Sequence, residues 1–294
     1  MSTKQKINLI WQTTEGDETS FELEYITNVL FELFEQTKIF DNGRLETVID
    51  NSVIIYSNNK NNCDDKFIEY LNKFTQSGYD FYLLHLSNES LNHNFNYYTL
   101  ANHCFRNYYD KNIKLNNCTF IPLGFKSNFL NREKSYENIK EKIYDFAFIG
   151  QIKSDREILV NILETLDNVF IHKTTRWNCH TALSELDCSN IYSQTKFIPC
   201  PMGYEHPDSF RIMEALESGS IPIIMNYNNF DYFDNVWDSN SPIPRINNWD
   251  EIINYKNMTK IEYNTLYHKV FDWYRSYKVT LQNKLLNTIL TNEK

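Results

Sequence analysis

Short, bare apolar runs alternate with amphipathic stretches along most of this chain, and that alternation limits the fold more than any single motif does. KINLIWQ (6–12), SVIIYS (52–57) and DFYLLHLS (80–87) read as strands. Between them lie a helix carrying Leu23, Ile26, Leu30, Leu33 and Phe34 at helical spacing and another around Asp64 to Gln76. HCFRNYY and CTFIPLG, ending near Gly124, close this half, and a polar linker with a short helix runs from Lys126 to Lys142. The pattern then restarts. YDFAFIG (144–150) is a strand, and SDREILVNILETL is a helix in which Ser154 and Glu157 have the spacing of a capping box. VFIHKT, a helix in TALSELDC, KFIPC, a helix from Asp208 to Ser218 and IPIIM follow. A long helix from Thr259, with Tyr263, Tyr267, Phe271 and Tyr274 on one side, ends the chain.

Strand–helix alternation of this kind builds parallel α/β sheets. Two successive blocks in 294 residues predict two Rossmann-like domains facing across a cleft, residues 1–130 and 140–268, with a terminal helix over 269–294. Ligands in such sheets collect at the carboxyl ends of the strands, and Gly124, Gly150, Gly203 and Gly219 fall at strand exits or helix stops.

Composition removes several function classes. A net charge of -9, with no basic run, argues against a nucleic-acid partner. The six cysteines are scattered without a C-x-x-C pair, which predicts neither zinc nor a disulfide framework but reduced thiols in a cytoplasmic setting. No segment reads as a signal peptide or membrane span, so a soluble chain is expected. There is no D-x-D for a metal-bound diphosphate, and no G-x-G-x-x-G follows a strand, which sets aside NAD chemistry. The expected metal and cofactor complement is therefore none.

The richest stretch is CPMGYEHPDSFRIMEALESGSIPIIM, Cys200 to Met225. A strand runs into a turn containing Gly203, and His206-Pro207-Asp208-Ser209 opens a helix with Pro near its first position and Asp208 or Ser209 as cap. The free N–H groups at such an end attract phosphate. Arg211, Glu214 and Ser218 share one face, while Ile212, Met213 and Leu216 turn toward the sheet. The set suits a nucleoside diphosphate, with Arg211 on pyrophosphate and Glu214 on ribose hydroxyls. Spacing alone equally describes a solvated i, i+3 ion pair. Arg156, just past Gly150, is either a second pyrophosphate contact or an exposed arginine of the SDRE turn. Arg106, inside an aromatic run, is either paired structurally or aimed at a leaving group. Glu89 in HLSNES, beyond a strand end of the first domain, is either a general base or a solvated, capping carboxylate, and His85 is its rival.

PMGYEHPDSFRIMEALESGSIPII resembles the donor-binding segment of exostosin-like glycosyltransferases, in which a Pro-x-Gly turn, an Asp/Ser-x-Arg helix start, a Glu-Ala pair and Gly-x-Ile/Val-Pro-Ile/Val recur in that order. YDFAFIGQIKSDRE extends the likeness, and HLSNES, FRNYY and IPLGF are similar to the viral and ribitol-xylosyltransferase-like branch. The resemblance implies a GT-B fold, a UDP-sugar donor held by the second domain, a glycan acceptor on the first, inversion without a metal, and host cytoplasm if the source is viral. Xylose as donor sugar rests on that branch alone. Where many relatives carry Pro-Arg-Gly this chain has Pro201-Met202-Gly203, so a phosphate contact has to come from elsewhere. A non-catalytic glycan-binding protein and a nucleotide-sugar epimerase of the same architecture are the alternatives.

Overall fold

The computed structural model describes residues 4–12, 21–57, 65–91, 95–130, 142–176, 179–227 and 232–291. Its strands form two wholly parallel sheets. The first holds β1 (Lys6–Gln12), β2 (Glu35–Phe40), β3 (Ser52–Ser57), β4 (Phe81–Leu86), β5 (His103–Arg106) and β6 (Cys118–Phe120) in the order β2-β1-β3-β4-β5-β6. The second holds β7 (Tyr144–Gln151), β8 (Val169–Thr174), β9 (Thr195–Cys200), β10 (Ile221–Met225) and β11 (Arg245–Ile246) in the order β11-β10-β9-β7-β8. Each order reverses once, between β1 and β3 and between β7 and β9, and such reversals leave a crevice at the carboxyl ends.

Central strands carry unbroken apolar runs, such as Val53–Tyr56, because both faces of a parallel sheet are covered. In β3, Val53 and Ile55 pack into the main core, while Ile54 and Tyr56 join a second cluster. That cluster lies under α2 (Asp65–Ser77), whose buried Phe67, Tyr70, Leu71 and Phe74 carry the helical spacing. Around the second sheet stand α3 (Asp155–Leu163), α4 (Glu185–Ser193), α5 (Phe210–Glu217), α6 (Tyr232–Val236) and the short α7 (Ile253–Lys256). The last helix, α8 (Lys260–Thr291), joins the lobes. Early in it, Tyr263 meets Phe197 with ring centroids 5.5 Å apart, and Tyr274 donates to Glu217 Oε1 at 2.5 Å. Its far end reaches the first lobe, where Gln282 donates to Val29 O at 3.1 Å and Tyr82 donates to Ile289 O at 2.9 Å.

Several local expectations are corrected. The first helix is only α1 (Leu23–Tyr25), running into a wider turn at Ile26–Leu30 closed by Phe31 N to Ile26 O at 3.0 Å. It ends early because the chain enters β2, an exposed edge strand whose EQTKIF is too polar to read as a strand. The capping box does not form: Ser154 sits at φ 52°, and its side chain makes no cap bond. The expected helix at Asp208 starts two residues later, at Phe210, and Pro207 stands in the turn before it. The helix placed in TALSELDC is α4, capped by Ser184 Oγ accepting from Asp187 N at 3.1 Å. Of the linker expected between Lys126 and Lys142, residues 131–141 lie outside the described residues, as do Cys63 and Asp64. The described cysteines are free, and no helix among the described residues is long and apolar enough to cross a membrane.

Candidate active site

The carboxyl ends of the two sheets face one cavity of about 480 Å³, a size suited to a small-molecule ligand. From the first lobe it is walled by the β4 exit (Ser87 to Ser90), Tyr108 and Leu123. From the second it is walled by the β7 exit with Lys153 and Arg156, the turn after β9, and the first turn of α5. Of the residues singled out from sequence, Glu89, Gly150, Arg156, Gly203, Asp208, Ser209, Arg211 and Glu214 all line it.

Arg106 does not. It is 1% exposed, donates to Tyr98 OH at 3.0 Å and to Tyr108 O at 3.1 Å, and is therefore the paired, structural arginine of the two readings. His85 is likewise a core histidine, bonded to Tyr98 OH and stacked on Tyr56.

The cavity's cations gather at the β7/β9 reversal. Arg211 lies across the end of β7, where Nε and Nη2 both donate to Ile149 O, at 3.3 and 3.0 Å. A Cβ on Gly150, whose φ is +145°, would run into that guanidinium, so glycine is what permits the approach. Arg156 donates through Nη1 to Gln151 O at 3.2 Å and through Nη2 to Met202 O and Gly203 O at 2.5 and 2.9 Å. Arg156 thus pins the turn after β9, and Tyr227 OH holds the same turn by accepting from Met202 N at 2.9 Å. Burial first, and the charge of Arg211 second, push the Arg156 guanidinium down to about 10. Lys153 is lowered by burial and by Arg156 and Arg211, with Glu89 pulling the other way. Lys153 and Arg156, each lowered by burial and by neighbouring positive charge, stand with Arg211 in a cluster short of negative charge, the electrostatic condition of an anion site.

Two carboxyls behave in the opposite sense. Burial raises Glu214 to about 7 against the pull of Arg211 and Lys126. Burial also raises Asp208 to about 7, against the Tyr232 hydroxyl and the N–H groups of Leu123 and Ser209, with Glu89 adding to the rise. Leu123 N donates to Asp208 Oδ2 at 2.8 Å and Tyr232 OH donates to the same oxygen, so this carboxyl ties the second lobe to the first. Ser209 is the N-cap of α5 by backbone position, but its hydroxyl makes no cap bond and no other hydrogen bond.

Glu89 crosses the cleft. Its Oε1 accepts from three successive main-chain N–H groups of the second lobe, those of Tyr204, Glu205 (2.8 Å) and His206 (3.2 Å). Such consecutive amides form a concave anion nest. A Cβ on Gly203 would overlap Glu89 Oε1, so glycine in Pro201-Met202-Gly203 makes room for a carboxylate from the other lobe. The turn is held below by His206, which is buried between the Tyr108 and Tyr232 rings and lowered to about 4 by that burial.

Sequence reading missed Lys153, Asn88 and Tyr204. Lys153 sits in the quoted IKSDRE, where a lysine in a polar turn looks solvated, and only the approach of Arg156 and Arg211 marks it out. Among the described residues no three His, Cys, Asp or Glu side chains cluster as metal ligands.

A family model, the RXYLT1 C-terminal domain, matches residues 125–293, more than half of the chain and all of the second sheet. No curated protein sequence matches. Among solved structures, that of an alpha1,3-fucosyltransferase is 16% identical, covers 100% of this chain and 92% of its own, and superposes with a TM-score of 0.53. Anabaena Alr3699/HepE in complex with UDP is 8% identical, covers 98% and 100%, and gives 0.52. At these identities the likeness shows the fold, the two-lobed GT-B architecture.

Proposed function

The chain belongs to the RXYLT1 C-terminal domain family, and from that membership and the interlobe cation cluster we propose that it is an inverting glycosyltransferase using a UDP-sugar without a metal. The observation that carries the reading is the convergence of Arg211, Arg156 and Lys153 at the β7/β9 reversal, facing a first-lobe carboxylate across the cavity. Arg211 and Lys153 contact the pyrophosphate. Arg156, whose terminal nitrogens are engaged by carbonyls, contributes its charge. The N-terminal turn of α5 with Ser209 and Asp208 completes the cradle beside Gly150 and Gly203, and Glu214 accepts from ribose hydroxyls. UDP complexed to the structurally similar Alr3699/HepE supports a nucleotide in this cleft.

In a single displacement the acceptor oxygen bonds to the anomeric carbon as the bond from that carbon to phosphate breaks, and the configuration inverts. The acceptor's hydroxyl proton goes to Glu89, whose Oε1 is anchored, which leaves Oε2 to receive it. The departing UDP carries its new charge into the cation cluster, which is fixed before reaction begins. The resemblance of HLSNES, FRNYY and IPLGF favours xylose as the sugar and a viral or ribitol-xylosyltransferase-like branch of the exostosin-like enzymes.

Calorimetric titration with UDP and UDP-sugars tests the assignment. UDP binds the wild type, and Arg211→Ala weakens it roughly tenfold or more, the loss of one charged hydrogen bond. Equal affinity in the two proteins would remove the basis of the reading.

A further inference from the structure

Tyr204 is 70% exposed, and among the described residues it is the one exposed large apolar side chain that also lines the cavity. Phe40, Ile158, Ile261 and Val279, all similarly bare, stand elsewhere. An exposed aromatic ring is costly to hold still, yet this one is fixed twice. Its main-chain N–H is bound by Glu89 Oε1, and Lys153 Nζ rests 3.9 Å from the ring centroid. One face of the ring is thereby covered by a cation, and the residue as a whole stays 70% exposed.

On the segment that carries Glu89, Asn88 is 3% exposed and lines the same cavity, but its Nδ2 has no hydrogen-bond partner. A buried amide donor left unmatched costs about 1–3 kcal/mol unless a ligand completes it. A flat apolar ring and a waiting polar donor in one cavity match a pyranose ring. The axial C–H groups of such a sugar lie on an aromatic face, and its equatorial hydroxyls radiate to polar neighbours.

We propose that Tyr204 and Asn88 form the acceptor subsite: the acceptor is a carbohydrate whose terminal pyranose stacks on the Tyr204 ring and takes a hydrogen bond from Asn88 Nδ2. This rests on the glycosyltransferase reading and deepens it, since a sugar so placed has its hydroxyls beside Glu89.

The test uses the full chain and neutral methyl pyranosides of xylose, galactose and glucose, read by saturation-transfer NMR and titration with and without UDP, and UDP alone as a parallel ligand. Wild type is expected to bind at least one glycoside, with transfer strongest to the axial ring protons. Tyr204→Ala is expected to weaken it roughly tenfold, and Tyr204→Phe to keep it. Asn88→Ala is expected to weaken it while leaving the transfer pattern intact. UDP affinity, measured on each variant, reports the fold and the donor site independently. Glycoside binding equal in wild type and Tyr204→Ala, or absent from a chain that binds UDP, overturns the assignment. Glycoside binding that depends on Tyr204 in a chain that holds no UDP supports it and refutes the donor reading instead.

Discussion

Gly150→Ala is the most informative single change, because it separates a backbone cost from a binding cost. At φ +145° an L side chain is strained, by about 1–3 kcal/mol. For a chain of this size that is a fall in melting temperature of several degrees. The new methyl also occupies the space of the Arg211 guanidinium, so the side chain swings away and its two bonds to Ile149 O are lost. If Arg211 grips a phosphate, displacing it forfeits a charged hydrogen bond of about 1.5–3 kcal/mol, or roughly 10- to 150-fold in UDP affinity. The assay is a double-mutant cycle by calorimetry, with thermal unfolding alongside. In an Arg211→Ala background, Gly150→Ala should still lower the melting temperature but cost no further affinity, since there is no guanidinium left to displace. Wild-type UDP affinity in Gly150→Ala, or full additivity of the two losses, would refute the reasoning.

Three further outcomes are expected. Glu89→Ala empties the nest over Tyr204–His206 and should cost about 1–3 kcal/mol in denaturant unfolding, with Glu89→Gln recovering part of it through one remaining oxygen; an Ala variant as stable as wild type would show the latch to be idle. Asp208 and Glu214, both raised to about 7, contribute stability that is fully present below their unfolded values near pH 4 and is lost as pH rises through 7; Asp208→Asn should flatten that part of the stability–pH curve, measured by urea titration. Leu285→Ala or Ile289→Ala, at fully buried positions where α8 meets the first lobe, should cost about 2–5 kcal/mol in thermal or denaturant unfolding, and a smaller loss would mean that the helix end packs loosely.

Much of the site was legible because it follows from chain-local chemistry. The strands were readable where they are buried on both faces, as in SVIIYS and IPIIM, and unreadable in β2, whose solvent-facing EQTKIF has no apolar excess. The turn–helix stretch from Pro201 to Gly219 announced a cavity-facing end through its punctuation, although its helix starts later than the spacing implied because Asp208 bonds to Leu123 and Tyr232 instead of capping. Arg106 looked functional because a lone arginine among aromatics has no visible partner in sequence. Its acceptors, Tyr98 OH and Tyr108 O, flank β5 eight and two residues away, and only the path of the chain on either side of that strand turns them onto the guanidinium.

Taken alone, then, the order of residues determined the periodicities, hence two parallel sheets and a closing helix, and it determined which strand exits carry glycine, arginine and acid. Tertiary structure alone decided which of those groups meet. The cation cluster joins residues 153, 156 and 211, and the Glu89 nest is filled from residues 204–206, more than a hundred positions away. Pairings across such distances depend on how two lobes dock, a matter of shape and burial summed over whole surfaces, and no local spacing encodes it.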